Sequence, residues 1–301
     1  MFRPAAVAGS WYPDHPARLA GEVDRYLEQA DAVPTGRPRA LIAPHAGLMY
    51  SGPVAAFAYK LLKNVTYDAA VLVGPSHFVP FEGVSIWDAG EWETPFGPVA
   101  VDAPLAAAVR AACAKVIDLP AAHRREHSLE MQLPFLARVL PGVPIVPLVM
   151  GTQTRDTSFA LGAALASVLS PNDSNDPNDP NDPNDPNDPN DPNDPNDPND
   201  PNDPNVLLIA SSDLSHYENA VTASRMDAIM VRHVEALDAE GLMAALEHEP
   251  RHACGGGPMV SVLHAARLLG ASSSRVLRYA DSGDVSGDKS AVVGYLAAVV
   301  A

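Results

Sequence analysis

Three apolar segments of this chain, each followed by a turn that carries a histidine, restrict its fold more than any other feature of the 301 residues. The segments are short and bounded by turn formers, which is typical of strands buried in a parallel sheet. His45, His77 and His216 follow the three segments, which cover residues 39–43, 69–74 and 206–211. Because the carboxyl ends of parallel strands meet at one sheet edge, where open α/β sheets bind ligands, the pattern predicts one shared site.

The rest of the chain alternates between strand and helix patterns, which predicts an α/β fold: a three-layer sandwich with a mixed central sheet. Turn residues 94–98 predict an antiparallel hairpin at the edge of that sheet. The prolines within residues 143–149 predict a strand near an edge or at a bulge. Two further strands are predicted at residues 276–280 and 291–299, and helices at residues 15–30, 52–62, 104–116, 127–140, 158–169, 221–237, 239–247 and 258–269.

A low-complexity tract interrupts this pattern, because residues 175–204 are ten tandem Asn-Asp-Pro triplets. Proline at every third position removes backbone donors and blocks helix propagation. We therefore predict one domain over residues 1–301, interrupted by a disordered loop at residues 171–205, and a calcium-binding or partner-binding arm is the alternative. The loop contains 11 acidic residues, so the formal net charge of −17 becomes −6 without it, an ordinary value for a soluble enzyme.

Several functional classes conflict with the composition. The largest basic cluster is Arg124-Arg125, which argues against a nucleic-acid partner. Two cysteines imply no disulfide framework. No segment reaches the roughly 18 consecutive apolar residues of a membrane helix, and the first residues do not resemble a signal peptide. We therefore expect a cytoplasmic protein that does not bind membranes.

His45 and His77 are the best candidates for metal ligands, because both occupy turns after buried strands and imidazole is the commonest transition-metal ligand. Cys254 lies in a glycine-rich turn before a helix that begins near Pro258. A helix N-terminus lowers the pKa of a thiol and favours the thiolate, which binds metals. Two imidazoles and a thiolate with open positions resemble the facial triad of non-haem iron(II) sites, and the softer sulfur ligand makes copper(I) and zinc compatible as well.

Two further pairs are candidates for acid–base roles. Asp213 and His216 share one turn, so one can orient an imidazole while the other acts as general acid or base. The alternative is that the polar residues of this turn cap a helix. His127 and Glu130 are three residues apart on one face of a predicted helix. They either orient the residues that bind the metal or form a pair on the protein surface.

Six motifs, in this order along the chain, resemble those of the Memo family, whose bacterial and archaeal members are called AmmeMemoRadiSam system protein B. The motifs are VAGSWY (7–12), APHAG (43–47), GPSH (74–77), EHSLEM (126–131), SSDLSH (211–216), and Cys254-Gly255 with Pro258. The resemblance covers nearly the whole chain outside the repeat.

The resemblance implies a fold similar to that of class III extradiol dioxygenases of the LigB type. It also implies that His45, His77 and Cys254 occupy the family's metal-binding positions, to which iron or copper is assigned. His216 occupies the position of the acid–base histidine in those dioxygenases. The dioxygenases have a glutamate where this family has the cysteine, so ring cleavage is not implied.

Three hypotheses about function follow. The preferred one is a metal-binding, oxidoreductase-like protein that acts on an unidentified small molecule or peptide. The second is a non-catalytic module that binds a peptide or another partner, with a radical-SAM protein suggested by the family name. The third is a metallohydrolase that uses a zinc-bound water.

Overall fold

The computed structural model describes residues 1–32, 37–170 and 205–301. The strands in these ranges are β1 (Phe2–Arg3), β2 (Ala40–Ala43), β3 (Ala69–Pro75), β4 (Val84–Ile86), β5 (Glu91–Trp92), β6 (Val99–Ala100), β7 (Val116–Asp118), β8 (Ile145–Met150), β9 (Val206–Ser211), β10 (His216–Glu218), β11 (Ser274–Asp281) and β12 (Val292–Val300). The α-helices are α1 (Pro16–Gln29), α2 (Leu48–Tyr59), α3 (Ala103–Ala112), α4 (Ala121–Arg124), α5 (Leu133–Val139), α6 (Arg155–Leu169), α7 (Ala220–Glu235), α8 (Ala239–His248), α9 (Gly256–Leu268) and α10 (Gly283–Ser286). Single 3₁₀ turns cover Lys60–Leu62, Glu130–Gln132 and Pro250–His252.

The central sheet of the described residues has nine strands and mixed orientations. Its order is β10-β12-β2-β9-β3-β8-β4-β7, and β11 also pairs with β12. The four inner strands β2, β9, β3 and β8 are parallel, whereas β12 is antiparallel to β2, and β4 is antiparallel to β8. This architecture confirms the predicted α/β class with a mixed central sheet.

The parallel strands position the site because their carboxyl ends lie at one edge. Ala43 at the end of β2 is in register with Ser211 at the end of β9, and Pro75 at the end of β3 is in register with Met150 of β8. The loops that carry the candidate histidines leave the sheet at this edge. The arrangement matches the position where parallel α/β sheets bind ligands.

Helices cover both faces of the sheet. Alternate residues of β2 and β3 belong to two hydrophobic clusters, since side chains of a strand point to opposite faces in turn. Ile42, Val71 and Val73 pack in a cluster with α3 and α6 to α9, whereas Leu41 and Leu72 pack in a cluster with α1, α2 and α5. The sheet is therefore buried on both faces, which explains why its inner strands are continuously apolar.

The helix predicted at residues 127–140 is shorter than expected, because α5 begins only at Leu133 after a 3₁₀ turn. The Glu126 carboxylate accepts the backbone N–H groups of His127 and Ser128, which holds this segment outside the helix. Pro134 in the first turn of α5 is the sequence signal for the true start. The predicted placement of His127 and Glu130 on one helix face is therefore wrong.

The predictions for two helices and for the hairpin also need correction. The helix predicted at residues 52–62 begins at Leu48 and contains Pro53. The predicted hairpin exists as β5 and β6, but it pairs with β1 in a separate three-stranded sheet. The helix predicted at residues 104–116 ends at Ala112, and its last residues begin β7.

The strand that contains Pro147 lies inside the sheet between β3 and β4, not at an edge. Proline lacks only the N–H, and the Pro147 carbonyl still accepts the backbone N–H of Trp87 at 3.2 Å. The Pro144 carbonyl accepts the N–H of Ala70 at 2.9 Å in the same way. The proline carbonyls therefore still form hydrogen bonds with neighbouring segments, and the inner strand tolerates the missing proline N–H.

A buried ion pair fixes the loop at the start of the chain. The Arg3 guanidinium lies 2.6 Å from the Glu130 carboxylate, and both side chains are fully buried. The same carboxylate accepts the Tyr12 hydroxyl at 2.7 Å and the backbone N–H groups of Ala6 and Val7. Glu130 therefore anchors the loop that carries Trp11 toward the candidate site.

The predicted disordered loop at residues 171–205 lies outside the described residues except for Asn205. The chain enters the tract after α6, whose start is near the site, and leaves it at the amino end of β9. Asn205 binds the backbone of Thr66 and Asp68 there. Both attachment points are thus at the sheet edge opposite the candidate site. Within the described ranges, no helix has the length and apolar character needed to cross a bilayer.

Candidate metal site

Three histidines meet at the carboxyl edge of the sheet. His45 follows β2, His77 follows β3, and His127 lies in the segment before α5. One ring nitrogen of each lies within 4.8 Å of those of the other two. The rings of His77 and His127 stack with centroids 4.5 Å apart. His45 is buried, whereas the His77 side chain is 27% exposed, so the cluster is open to solvent on one side.

A hydrogen-bond network determines which nitrogen of His45 carries the proton. Its Nδ1 lies 2.9 Å from the Ser211 hydroxyl, which donates its own hydrogen to the Ser128 carbonyl at 2.6 Å. Ser211 must therefore accept from His45, so Nδ1 is protonated and Nε2 has the free lone pair. Gln132 donates to the same hydroxyl at 2.6 Å and is in turn held by the buried Tyr59.

Glu126 supports the other two histidines. Its carboxylate accepts His77 Nδ1 at 2.9 Å and also the backbone N–H groups of His77, His127 and Ser128. A carboxylate acceptor places the proton on His77 Nδ1 and leaves Nε2 free. Burial raises the pKa of Glu126, but its hydrogen bonds with His77 and the nearby amides outweigh this and lower the pKa to about 2. Glu126 is therefore an anion at neutral pH.

His127 has a buried ring nitrogen without a hydrogen bond. Among the described residues, none is placed to hydrogen-bond its Nδ1, and the nearest carboxylate oxygen, of Glu126, is 3.5 Å away. Such a group is costly to bury unless something else satisfies it. The indole of Trp11 lies over the His127 ring at 4.2 Å between centroids, and Phe78 contacts it at 5.8 Å. These two exposed aromatic side chains flank the open side of the cluster.

Cys254 lies beside the cluster. Its Sγ is 3.2 Å from His45 Nε2 and 3.6 Å from the Asp213 carbonyl oxygen. The structure therefore places two of the predicted ligands, Cys254 and His45, in contact, whereas the group of ligand atoms that lie within 4.8 Å of one another consists of His45, His77 and His127.

The predicted lowering of the Cys254 pKa is wrong. Burial raises the pKa of this thiol, and the negative charge of Asp213 adds to the effect. Helix α9 begins only at Gly256, and the Cys254 backbone N–H donates a hydrogen bond to the Asp213 carbonyl. The thiol consequently gains too little from the helix N-terminus to offset its desolvation.

Asp213 and His216 both lie near the cluster and contact different partners. The buried Asp213 carboxylate accepts the His45 backbone N–H at 2.8 Å, and burial raises its pKa. His216 Nδ1 lies 2.8 Å from the Leu214 carbonyl, which can only accept, so the proton is on Nδ1 and Nε2 is free. Asp213 thus orients His45, and His216 presents a basic nitrogen. The Glu130 carboxylate accepts hydrogen bonds from Arg3 and Tyr12 instead of pairing with His127.

Three supporting residues were not singled out from the sequence: Glu126, Gln132 and Ser211. Glu126 lies in the EHSLEM motif immediately before His127, so a carboxylate next to a candidate ligand was an available signal. Gln132 and Ser211 act through contacts between distant segments, 79 residues apart in sequence. No local pattern encodes such a contact.

The buried histidines make the stability of the protein depend on pH. Burial lowers the pKa of His123 to about 3, and the nearby Arg3 contributes. The unfolded chain binds this proton near pH 6.5 and the folded state does not, so His123 destabilises the folded state increasingly as the pH falls from about 6.5 toward 3. Replacing His123→Gln should remove up to about 1.4 kcal/mol per pH unit from the slope of unfolding free energy against pH. Urea unfolding at pH 7, 6 and 5 checks this, and the exposed His248→Gln is the control. Equal slopes in wild type and His123→Gln would contradict it.

Comparisons with known proteins agree with the recognised motifs. The family model described as Memo-like protein matches residues 3–175 and 200–299, so most of the triplet tract lies between the matched parts. A MEMO1 family protein of Sulfolobus acidocaldarius is 35% identical, with 98% of each chain covered. Those of Methanothermobacter thermautotrophicus and Thermotoga maritima are 34% and 32% identical, over 98% and 100% of this chain and 99% and 100% of their own.

Proposed function

The chain belongs to the Memo-like family, and from that premise we propose that it is a metal-dependent, oxidoreductase-like protein. In this proposal His45, His77 and His127 hold iron(II) or copper, and Cys254 lies next to the ion. The observation that carries the proposal is the convergence of three ring nitrogens within 4.8 Å. Two of those rings have their protons fixed on the nitrogens that face away, at Ser211 and Glu126.

The residues present fit a transition-metal ion. Neutral imidazole is the ligating form, and burial keeps the pKa of His45 at about 3 and that of His127 at about 4. Imidazole suits iron, copper and zinc alike, and an adjacent sulfur favours copper(I) and zinc over harder ions.

The chain's own residues supply orientation and proton transfer. A bound iron or copper ion would supply one-electron chemistry at the site. His216 Nε2 is free to accept a proton from a substrate, since its Nδ1 donates to the Leu214 carbonyl. Asp213 holds the His45 backbone, and Trp11 covers the His127 ring. Under this proposal the fold is related to the LigB-type dioxygenases, and a radical-SAM partner stays a prediction.

Metal analysis of protein purified without an affinity tag tests the proposal. We expect near-stoichiometric iron or copper in wild type, falling to less than about a tenth in His45→Ala/His77→Ala, because ligand loss removes two of three imidazoles. His248→Ala, an exposed histidine of α8, should retain the wild-type content. Full metal content in the double variant would refute the site. If the wild-type protein contained zinc instead of iron or copper, the redox proposal would be refuted, and the metallohydrolase hypothesis would be left.

A further inference from the structure

A cavity of about 550 Å³ opens next to the histidine cluster, between the loop after β8, helix α8 and the turn before α9. We infer that this cavity binds the apolar, uncharged body of the molecule on which the site acts. The inference rests on the proposed function for the reactive end of that molecule. The size lies within the range of about 300–1,000 Å³ that is typical of small-molecule sites.

One wall of the cavity consists of apolar residues. Met243, Leu246, Pro250 and Ala253 provide one side of it. Three of these four residues are at most 8% exposed, so packing within the protein fixes their positions before a ligand binds. Burying apolar ligand surface against them is favourable by about 25 cal/mol per Å².

The polar side chains of the wall are already paired within the protein. Gln153 donates to the Cys254 carbonyl at 2.6 Å and accepts the Gly257 N–H at 2.7 Å. Thr154 accepts the Thr157 N–H and contacts the Thr157 hydroxyl. A polar ligand group placed here would lose its water and compete with these internal hydrogen bonds for a partner, which is unfavourable. The wall therefore selects an apolar ligand body.

Charge at the rim disfavours an anion. Arg155 binds Glu247 through two hydrogen bonds, at 2.9 and 3.0 Å, and also pairs with Glu240. Two carboxylates and one guanidinium leave one negative charge, and the guanidinium already donates three hydrogen bonds to these carboxylates. A carboxylate or phosphate ligand would meet net repulsion at this rim.

Cys254 connects the cavity to the histidines. It forms part of the cavity wall, and its Sγ lies 3.2 Å from His45 Nε2. A molecule seated on the apolar wall can thus direct one end at the cluster while its body stays in the cavity. This geometry separates recognition of the ligand body from the chemistry at its end.

Methionine methyl NMR on the full chain tests the inference, with indole as a neutral probe and indole-3-acetate as its anionic match. We expect indole to shift the Met243 methyl signal, identified by Met243→Leu, and to leave the exposed Met49 unchanged. Indole-3-acetate should bind at least about tenfold more weakly. Absence of a Met243 shift, or equal binding of the two probes, would overturn the inference.

Two variants locate the binding. Ala253→Phe should reduce indole affinity at least tenfold, whereas Val285→Phe, in a separate hollow beside α2, should not change it. Glu240→Gln/Glu247→Gln, on the exposed rim, should raise the affinity for indole-3-acetate, and it remains informative if Ala253→Phe does not fold. Unchanged indole binding in a folded Ala253→Phe protein, or no gain in the rim variant, would contradict the assignment.

Loading the protein with Cu²⁺ separates this inference from the proposed function. If Cu²⁺ binds to the histidines, it should broaden the proton signals of bound indole, because Cys254 lines the cavity and contacts His45 of the cluster. Copper binding without broadening would show that the cavity does not serve the site. Failure of copper to bind would refute copper at the proposed site, while the Met243 shift would still decide whether the cavity binds apolar molecules.

Discussion

Replacing Glu126→Gln should weaken copper binding to the histidine cluster by about 10- to 100-fold, the usual cost of losing a residue that orients metal ligands. The Glu126 carboxylate accepts four hydrogen bonds, two from His77 and one each from the backbones of His127 and Ser128. A glutamine amide has one oxygen to accept them, and its NH₂ group would face donors. His77 would then lose the partner that keeps its Nε2 free for the ion.

Competition with a chelator of known affinity at pH 7 measures the effect. Glu249→Gln is the matched control, since among the described residues the Glu249 side chain pairs with Arg251 and hydrogen-bonds to none of the three clustered histidines. Its copper affinity should equal that of wild type. A Glu126→Gln protein with unchanged copper affinity would mean that His77 is positioned by other contacts.

The second large effect concerns stability. Glu130→Ala should lower the free energy of unfolding by about 3–5 kcal/mol, because it leaves the fully buried Arg3 guanidinium without its countercharge. It also removes the acceptor for the Tyr12 hydroxyl and for two backbone N–H groups of the same loop. Breaking a buried pair costs far more than breaking an exposed one, which contributes about 0–1 kcal/mol.

Urea unfolding of metal-free protein at pH 7 measures this difference. Glu93→Ala is the control, because Glu93 is exposed and its carboxylate accepts only the Ala5 N–H among the contacts of this loop. We expect its effect to stay below about 1 kcal/mol. Equal losses in the two variants would show that the Arg3–Glu130 pair is not what anchors the loop.

The general placement of the site could be predicted from the sequence because the signal is local. Buried parallel strands are apolar on both faces, so the runs before His45 and His77 were recognisable without knowing their neighbours. The rule that ligands bind at the carboxyl ends of such strands then brought these histidines to one edge. The family was recognised from sequence for a related reason, since its motifs are short local segments and two of them lie in these turns.

The parts that could not be predicted depend on contacts between distant segments. His127 was assigned to a helix because its neighbours have helical spacing, but the Glu126 side chain keeps it outside α5. The pKa of Cys254 was predicted from its place before a helix, whereas its burial against Asp213 decides the direction. Which nitrogen of His45 is protonated depends on Ser211 and Ser128, which only the fold brings together.

The attachment of the triplet tract at the amino end of β9 has a practical consequence. Because this edge of the sheet is opposite the one that carries the histidines, changes of length between Ser170 and Asn205 are made far from the candidate chemistry. A change in the number of triplets should therefore leave the arrangement of the histidines unchanged. For the same reason, the tract is a suitable insertion point for a fluorescent reporter or an immobilisation handle.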